Sequence, residues 1–394
     1  MARGYLVKRG QNSWRLCYDA GRTASGERDT KYKTIKAKTM REAEQALSKF
    51  INEIESGVVT DNNIKFEQFV EIWHKDYAKD TLAPKTYAGY RIQLKHHILP
   101  TLGKLRLKDI TDRVLRHFYQ ALREPTARKD ERGGKLAELT ILHSHQIVSA
   151  ILEKAVRWGY IANNPARRVE RPKVPRRQIK CYDENDLDKL IRAFENEPLK
   201  YRLMVSIAIS TGLRRGEVMG LRWDRIDMET GSITIDQTRQ YVSGVGSITK
   251  RPKNEFSVRT VTLSDSVVRL LKKHKEMQAQ DKENAGSMWK DEGWVFTSWN
   301  GEPTHPDTIS KWFGQFLKRH KLPHTSFHSL RHSSASVAIA EGVNMKTVSN
   351  RLGHSNISTT MDIYGHPIKR ADREAADKLD KVFQNAEKKE EEIR

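Results

Sequence analysis

A basic stretch that contains two prolines, residues 170–182, divides the chain into two parts. It combines Pro172 and Pro175 with five positively charged side chains. These are Arg171, Lys173, Arg176, Arg177 and Lys180. Proline interrupts regular structure and like charges repel, so this run predicts an extended basic linker. With 394 residues, the whole chain has room for two or three domains.

The segment 1–57 has the pattern of a small sheet followed by one helix. Alternating polar and apolar residues in 14–18 and 31–36 predict half-buried antiparallel strands, with a turn in 21–26. Thr39 and Glu42 have the spacing of a helix capping box. The predicted helix has an apolar stripe formed by Ala43, Leu47, Phe50 and Ile51.

Residues 64–169 have a helical period. The stripe of the first predicted helix consists of Phe66, Phe69, Val70, Trp73 and Tyr77. Further helices are predicted from Pro84 to Pro100, from about Thr111 to Leu122, and from Ile141 to Trp158, with a polar loop between Pro125 and Glu138. The pattern therefore predicts a four-helix domain.

The remaining residues, 183–394, mix helices with strands. A helix is predicted to bury Leu187, Leu190, Ile191 and Phe194, and the apolar run 204–209 predicts a second, buried helix. Strands are predicted at 232–236 and 259–263, with Gly244 and Gly246 in a turn between them. A last helix is predicted from Ala371 to Phe383. The fold class expected for the whole chain is mainly α, multidomain α+β.

The charge of the chain favours a polyanionic partner. Its 71 Lys and Arg residues exceed its 50 Asp and Glu residues, which gives a net charge of +21. A field of this sign attracts nucleic acid above all. No apolar run is long enough to span a bilayer, and no signal peptide is evident at the start. With two cysteines no disulfide framework is expected, and the cytoplasm of a bacterium, at its nucleoid, is the predicted location.

The segment 325–366 concentrates side chains suited to phosphate chemistry. His328 and Arg331 are three residues apart, so a helix that starts near Ser326 would place them on one face. His354 follows the helix-ending Gly353, and Tyr364 comes ten residues later. Arginine binds phosphate oxygens, histidine transfers protons near neutral pH, and tyrosine can act as a covalent nucleophile.

These motifs resemble those of the tyrosine recombinases, the phage and transposon integrase family. The resemblance rests on the H-x-x-R box, on L-G-H and on the tyrosine that follows. It also rests on the box S-T-G-L-R-R-G-E-V-M-G-L-R-W of 210–223 and on the hairpin phrase P-K-N-E-F-S-V-R-T-V-T-L of 252–263. It covers residues from about 64 to 364, and four motifs in the family's order make it specific.

The resemblance implies a catalytic set and a mechanism. The implied catalytic residues are Arg214, Lys253, His328, Arg331, His354 and Tyr364, with Glu217 as a supporting acid that orients an arginine. Tyr364 would form a 3′-phosphotyrosyl intermediate, and no cofactor, ATP or metal would be needed. His328 and His332 have the spacing of zinc ligands, but Ser329 stands where a metalloprotease helix needs glutamate.

The resemblance also implies domains and partners. Residues 1–57 resemble an arm-type DNA-binding domain, 64–169 a core-binding, SAM-like domain, and 183–394 the catalytic domain. The expected partners are double-stranded DNA with core-type and arm-type sites, further copies of the chain in a homo-tetramer, an excisionase and a DNA-bending host protein. The DNA target, the mobile element and the preferred direction of reaction are not encoded in any motif.

Two alternatives share much of this pattern. A type IB topoisomerase-like enzyme would use the same chemistry as a monomer, but the front domain and the helix 371–383 argue against it. A catalytically silent DNA-binding protein is disfavoured by the intact catalytic set. Whether the helix 371–383 docks on its own chain or on a neighbouring copy stays open.

Overall fold

A computed structural model of the chain describes residues 4–22, 28–55, 63–128, 134–175, 182–251 and 257–353, together with 356–358, 361, 376 and 380. The chain divides into two compact units, residues 1–176 and 177–394. Each unit has its own hydrophobic core, and the first contains two separate apolar clusters.

The chain begins with a three-stranded antiparallel sheet and one helix. The strands are β1 (Gly4–Gly10), β2 (Ser13–Arg22) and β3 (Arg28–Lys36), in the spatial order β1-β2-β3. Helix α1 (Met40–Glu55) packs on the sheet, and its Phe50 is buried with Leu16 and Tyr18 of β2. The predicted capping box is confirmed, because the Thr39 hydroxyl accepts the Glu42 N–H at 3.2 Å and the Glu42 carboxylate accepts the Thr39 N–H at 3.4 Å.

The rest of the first unit is helical, as the period predicts. Its longer helices are α2 (Phe66–Trp73), α4 (Pro84–Gln93), α6 (Asp112–Arg123) and α7 (Glu138–Arg157), with the short α3 (Lys79–Thr81) and α5 (Leu99–Leu102). One π-helical turn, His74–Ala78, follows α2 and another, Leu94–Ile98, follows α4. Phe66, Phe69 and Trp73 are fully buried at the centre of this body.

One helix of this unit starts earlier than predicted. Helix α7 begins at Glu138 rather than Ile141, directly where the predicted loop ends. The Glu138 carboxylate pairs with Arg123 of α6 at 2.8 Å, and an acidic side chain in the first turn stabilises a helix N-terminus. This pairing lowers the pKa of Glu138 from its ordinary value.

A central helix, α9 (Leu199–Thr211), organises the second unit. It packs against α11 (Asp265–Ala285) and α13 (Ser329–Ala340). The other helices are α8 (Glu184–Ala193), the short α10 (Arg215–Val218), α12 (Thr308–Arg319) and α14 (Met345–Leu352). A three-stranded sheet with the order β4-β5-β8 adds a second layer; its strands are β4 (Ile226–Asp227), β5 (Ser232–Ile235) and β8 (Arg259–Thr262).

The connection between β5 and β8 differs from the prediction. These strands pair directly and antiparallel, and a hairpin of β6 (Thr238–Val242) and β7 (Gly246–Lys250), which the sequence analysis did not predict, is inserted between them. Gly244 lies in the turn of that hairpin, and Gly246 is the first residue of β7. The inserted strands carry few buried apolar residues, so their hydrophobic pattern is weak.

Two glycines let the inserted hairpin approach α10 closely. A Cβ atom on Gly216 would lie 2.3 Å from the Thr238 hydroxyl oxygen, and one on Gly220 would lie 3.2 Å from the backbone nitrogen of Arg239. The Gln237 side chain also donates a hydrogen bond to the Gly220 carbonyl at 2.7 Å. The hairpin is therefore held against the short helix that follows Arg214.

Two further expectations have different outcomes. Ile191 was expected in the apolar stripe of its helix, but this is wrong: its side chain is 55% exposed, while Leu187 and Leu190 fill the core. The predicted helix 371–383 lies almost wholly outside the described residues, of which Ala376 and Asp380 are helical. Within the described part of the chain, no helix is both long and apolar enough to cross a membrane.

The packing of α10 predicts a contrast between two glycine-to-alanine substitutions. Gly216→Ala should destabilise the second unit by about 1–3 kcal/mol, because its Cβ would push β6 away. Gly314→Ala in α12 is the matched control, since its Cβ would meet no atom within 4 Å and alanine favours helix by about 0.5–1 kcal/mol. Calorimetric unfolding temperatures should fall for the first variant and rise for the second; equal shifts would contradict this packing.

Candidate active site

The first arginine of the predicted set follows a sharp helix end. Helix α9 ends at Gly212, whose φ of 68° is left-handed and is tolerated best by glycine. A Cβ on Gly212 would lie 2.5 Å from the Leu352 side chain, so the end of α14 abuts this turn. The chain then reverses into α10, which places Arg214 directly before the first residue of that helix.

Glu217 holds Arg214 through both its backbone and its side chain. The carboxylate accepts the Arg214 backbone N–H at 2.9 Å and its guanidinium at 2.9 Å. The Glu217 side chain is 7% exposed, while that of Arg214 is 39% exposed. The acid therefore orients the guanidinium from the interior and leaves part of it accessible to a ligand.

The ionised state of Glu217 is favoured in this position. Burial alone would raise the pKa of the Glu217 carboxyl, but hydrogen bonds and charges from Arg259 and Arg214 outweigh burial and hold that pKa below its usual value. The carboxylate therefore remains charged at neutral pH, and it can balance two arginines.

Arg259 is a member of this cluster that the sequence analysis did not single out. It lies on β8, inside the hairpin phrase that carried the family resemblance, and its guanidinium contacts Glu217 at 2.8 Å. Its Nε also donates to the Arg351 carbonyl at 2.7 Å. The available signal was an arginine at the end of a strand within a recognised motif, but nothing local indicated its partners.

Arg331 occupies the junction between the ends of two helices. Its guanidinium donates to the Gly212 carbonyl at 2.7 Å and to the Leu352 carbonyl at 2.6 Å. These carbonyls belong to the C-terminal ends of α9 and α14, where the helix dipole is negative and a cation is stabilised. The residue is only 2% exposed, so its charge is compensated mainly inside the protein.

His328 lies directly before α13. The helix starts at Ser329 rather than near Ser326 as predicted, and the Ser326 hydroxyl accepts the Ser329 N–H at 3.1 Å in the turn that precedes it. Burial, and then the positive charges of Arg331 and Arg214, lower the pKa of His328 below its ordinary value of 6.5. The structure thus brings His328, Arg331 and Arg214 together, and the imidazole is neutral at physiological pH.

His332 lies one helical turn beyond His328. The two rings form an edge-to-face pair with centroids 5.4 Å apart. Burial, followed by the neighbouring His328 and Arg331, lowers the pKa of His332 to about 4. Within the part of the chain that is described, no group of three or more His, Cys, Asp or Glu side chains is arranged to hold a metal ion.

Three members of the predicted set, Lys253, His354 and Tyr364, lie outside the described residues. The described chain stops at Arg251 and resumes at Ser257, and Gly353 ends α14 with a left-handed φ of 65°. The predicted helix end at Gly353 is therefore confirmed.

Comparison with known proteins identifies the class of this fold and site. The sequence profile described as the phage integrase family matches residues 180–370, and the profile of the phage integrase N-terminal SAM-like domain matches residues 65–123. The chain belongs to the phage integrase family, the tyrosine recombinases, and is a site-specific recombination enzyme.

Curated relatives match over almost the full length. A tyrosine recombinase XerC-like protein of Caldanaerobacter subterraneus is 28% identical over 96% of this chain and 98% of its own length. The ICEBs1 integrase of Bacillus subtilis is 26% identical over 88% of this chain and 91% of its own.

Solved structures share the fold. The Tn1549 transposon integrase in complex with a circular intermediate DNA superimposes with a TM-score of 0.65 at 18% identity, covering 80% of this chain and 100% of that chain. A lambda integrase dimer bound to a COC′ core site gives a TM-score of 0.57 at 20% identity, covering 92% and 95%.

The lowered histidine pKa values predict a stability loss in acid. In the unfolded chain these histidines bind a proton as the pH falls through about 6.5, but in the folded protein they do so only at lower pH. The folded state therefore has its full stability above about pH 6.5 and loses part of it below that pH. This part of the stability is lost as the pH falls toward the folded pKa values, and for His332 this window reaches about pH 4.

The measurement is a titration by NMR of protein carrying ¹³C-labelled histidine rings. We expect the His332 signal, assigned by its absence in His332→Gln, to keep its neutral position until the pH approaches 4. The His328 signal, assigned through His328→Gln, should titrate below 6.5. A midpoint at or above 6.5 for either ring would contradict the burial and charge environment described.

Proposed function

We propose that the enzyme cuts and rejoins double-stranded DNA through a 3′-phosphotyrosyl intermediate on Tyr364, and thereby integrates and excises a mobile element. The observation that supports this most directly is that Arg214, which the buried Glu217 orients, and Arg331, which donates to the Gly212 carbonyl, both lie close enough to His328 to add to the effect of burial in lowering its pKa. In-line attack of the phenolic oxygen on the scissile phosphate would release a 5′-hydroxyl, which later attacks the partner strand. The covalent bond conserves the energy of the cleaved phosphodiester.

The arginines supply the charge that the transition state needs. Negative charge builds up on the non-bridging oxygens of the phosphorane, and preorganised guanidinium groups stabilise it by charge-assisted hydrogen bonds. Arg214 is accessible enough to do this in the structure as it stands. Arg331 is 2% exposed without DNA, so its contact with a phosphate oxygen requires the residues around it to rearrange on DNA binding.

Proton transfer is assigned to the remaining groups. His328 has a lowered pKa, so it is neutral at pH 7 and can accept the proton of the Tyr364 hydroxyl. On the family pattern, Lys253 protonates the 5′-oxygen as it leaves, and His354 donates a hydrogen bond to the phosphate. None of these roles calls for a cofactor or a metal ion.

The assembly that we propose is a homo-tetramer on DNA in the bacterial cytoplasm, at the nucleoid. Lambda integrase, which shares the fold, has been solved as a dimer bound to a core site and as a tetramer bound to a Holliday junction. An excisionase and a DNA-bending host protein would set the direction of the reaction, and the helix 371–383 would link neighbouring copies. Residues 64–169 would bind the core site, with the basic linker 170–182 along the phosphate backbone.

Residues 1–57 would bind a second, arm-type DNA site. Helix α1 covers one face of the sheet, and on the other face Tyr5 and Tyr32 flank Cys17 across the three strands. These tyrosines are 54% and 66% exposed, and the Arg15 guanidinium lies 5.2 Å from the Tyr32 ring centre. Exposed aromatic rings with arginine form a surface that suits DNA. Lys31 and Lys33 pair with Tyr18 and Leu16 and therefore lie on the other face of β3, where they add exposed positive charge at the edge of the sheet.

The first test of this function is Tyr364→Phe. This variant loses only the phenolic oxygen, so it should bind DNA as tightly as wild type and form no covalent complex. The substrate is a nicked suicide duplex carrying the crossover site, mapped by footprinting on the DNA that flanks the gene. Denaturing gels measure the covalent complex and gel shifts measure binding. A phosphotyrosyl adduct that persists in Tyr364→Phe would assign the nucleophile to another residue.

The second test removes residues 1–57. Cleavage of the isolated crossover site should be retained, because all six predicted catalytic residues lie beyond position 210. Recombination between sites with their natural flanks should fall by at least about tenfold, because the covalent connection to the rest of the chain supplies a high effective concentration for the second contact. Lys31→Glu with Lys33→Glu should reproduce this loss in the full chain and weaken its salt dependence. Recombination that is indifferent to the flanks would refute arm binding.

A further inference from the structure

The guanidinium of Arg259 joins three parts of the second unit that are distant in sequence. Its Nη2 contacts one Glu217 oxygen at 2.8 Å, and its Nη1 lies 3.4 Å from the other. Its Nε donates to the Arg351 carbonyl at 2.7 Å, and its Nη1 also donates to the Ser257 carbonyl at 3.2 Å. The planar fork of arginine allows these contacts to be made simultaneously.

The contact between Arg259 and Glu217 is buried on both sides. Each side chain is 7% exposed, so Arg259 is poorly placed to meet DNA directly. Removing one partner of a buried ion pair leaves the other charge uncompensated in the interior. The Glu217 carboxylate, which also orients Arg214, would then lose its second cation.

The C-terminal end of α14 packs closely against the guanidinium of Arg259. A Cβ on Gly353 would lie 2.9 Å from Nη1 of Arg259 and 3.1 Å from its Cδ, so only glycine leaves room for it. Arg351, three residues before His354 in the sequence, donates to the Ser210 carbonyl at 3.0 Å and the Thr262 carbonyl at 3.2 Å. The last turn of α14 is thereby tied to the end of α9 and to β8.

We propose that Arg259 is a positioning residue for the recombination reaction, which holds Arg214 through Glu217 and fixes the C-terminal end of α14 against them. The inference rests on the proposed roles of Arg214 and of the segment that follows α14. A residue in this position couples the first arginine box to the last motif before the tyrosine. It acts on the rate of strand cleavage rather than on the affinity for DNA.

A first experiment measures the positioning without any reference to catalysis. Hydrogen–deuterium exchange of the full-length protein would compare wild type with Arg259→Gln, Arg259→Lys and the control Arg319→Gln. The control removes an arginine from a different ion pair of the same unit, with Glu197. In Arg259→Gln, peptides covering 345–353 and 212–218 should exchange at least about tenfold faster, and in Arg319→Gln they should not. Unchanged exchange in these peptides would overturn the proposal.

A second experiment measures single-turnover cleavage of the nicked suicide duplex at saturating protein. Arg259→Gln should lower the rate constant by about 10- to 100-fold, the loss expected when reacting groups are misplaced by an ångström. Gel shifts should give the affinity of wild type. Arg259→Lys should be intermediate, because an ammonium keeps the charge but cannot contact Glu217 and the Arg351 carbonyl at once.

Two outcomes separate positioning from mere folding. If Arg259 acts through Glu217, the losses in Arg259→Gln and Glu217→Gln should be strongly non-additive in the double variant, whereas multiplicative losses would overturn the proposal. A variant that only folds poorly would show a lower amplitude of covalent complex with an unchanged rate constant, which would also overturn it.

If wild type itself formed no covalent complex, the proposed function would fail, and the exchange experiment would still decide the role of Arg259.

Discussion

The Glu217 carboxylate lies between two guanidinium groups in a place almost closed to water, and the rest of the site depends on it. Without this negative charge, Arg214 and Arg259 would repel each other across a short distance in a medium of low polarity. Burial works against the charge, and the two arginines restore it. The free-energy cost of burying the Glu217 carboxylate is therefore offset by its two arginine partners together, which favours this one arrangement of the three side chains.

Helix ends supply the second source of electrostatic stabilisation. Arg331 is nearly inaccessible, yet it faces the carbonyl ends of α9 and α14 and donates a hydrogen bond to each. Both helices stop at glycines in the left-handed region, Gly212 and Gly353, which let the chain turn away while the last carbonyls stay exposed to the arginine. A side chain on either glycine would also strike a neighbour, so each position meets a conformational and a steric requirement.

The same positive charges adjust the histidines. His328 is neutral because burial and the nearby Arg331 and Arg214 disfavour an additional proton, and burial with the neighbouring His328 and Arg331 lowers the pKa of His332 to about 4. The cluster proposed to bind an anionic phosphate thus also keeps the His328 imidazole neutral at neutral pH. Binding of a phosphate would raise the pKa of His328 again, since the negative charge favours the imidazolium, and would assist the proposed proton transfer.

The sequence by itself determined the elements and the order of the motifs. The helical period identified the longer helices of the first unit and α8, α9, α13 and α14 of the second, though not α11 or α12. The Thr39–Glu42 spacing identified a capping box, and Gly353 marked the end of α14. These features are local, since they depend on neighbours within one or two helical turns.

The tertiary structure alone decided the exposure of Ile191, the pairing of β5 with β8 around an inserted hairpin, and the partners of the buried arginines. Arg331 reaches a carbonyl 119 residues away and Arg259 a carboxylate 42 residues away. A hydrophobic period shows which face of an element is buried, but hydrogen bonds between distant polar atoms follow from packing geometry, which no local pattern encodes.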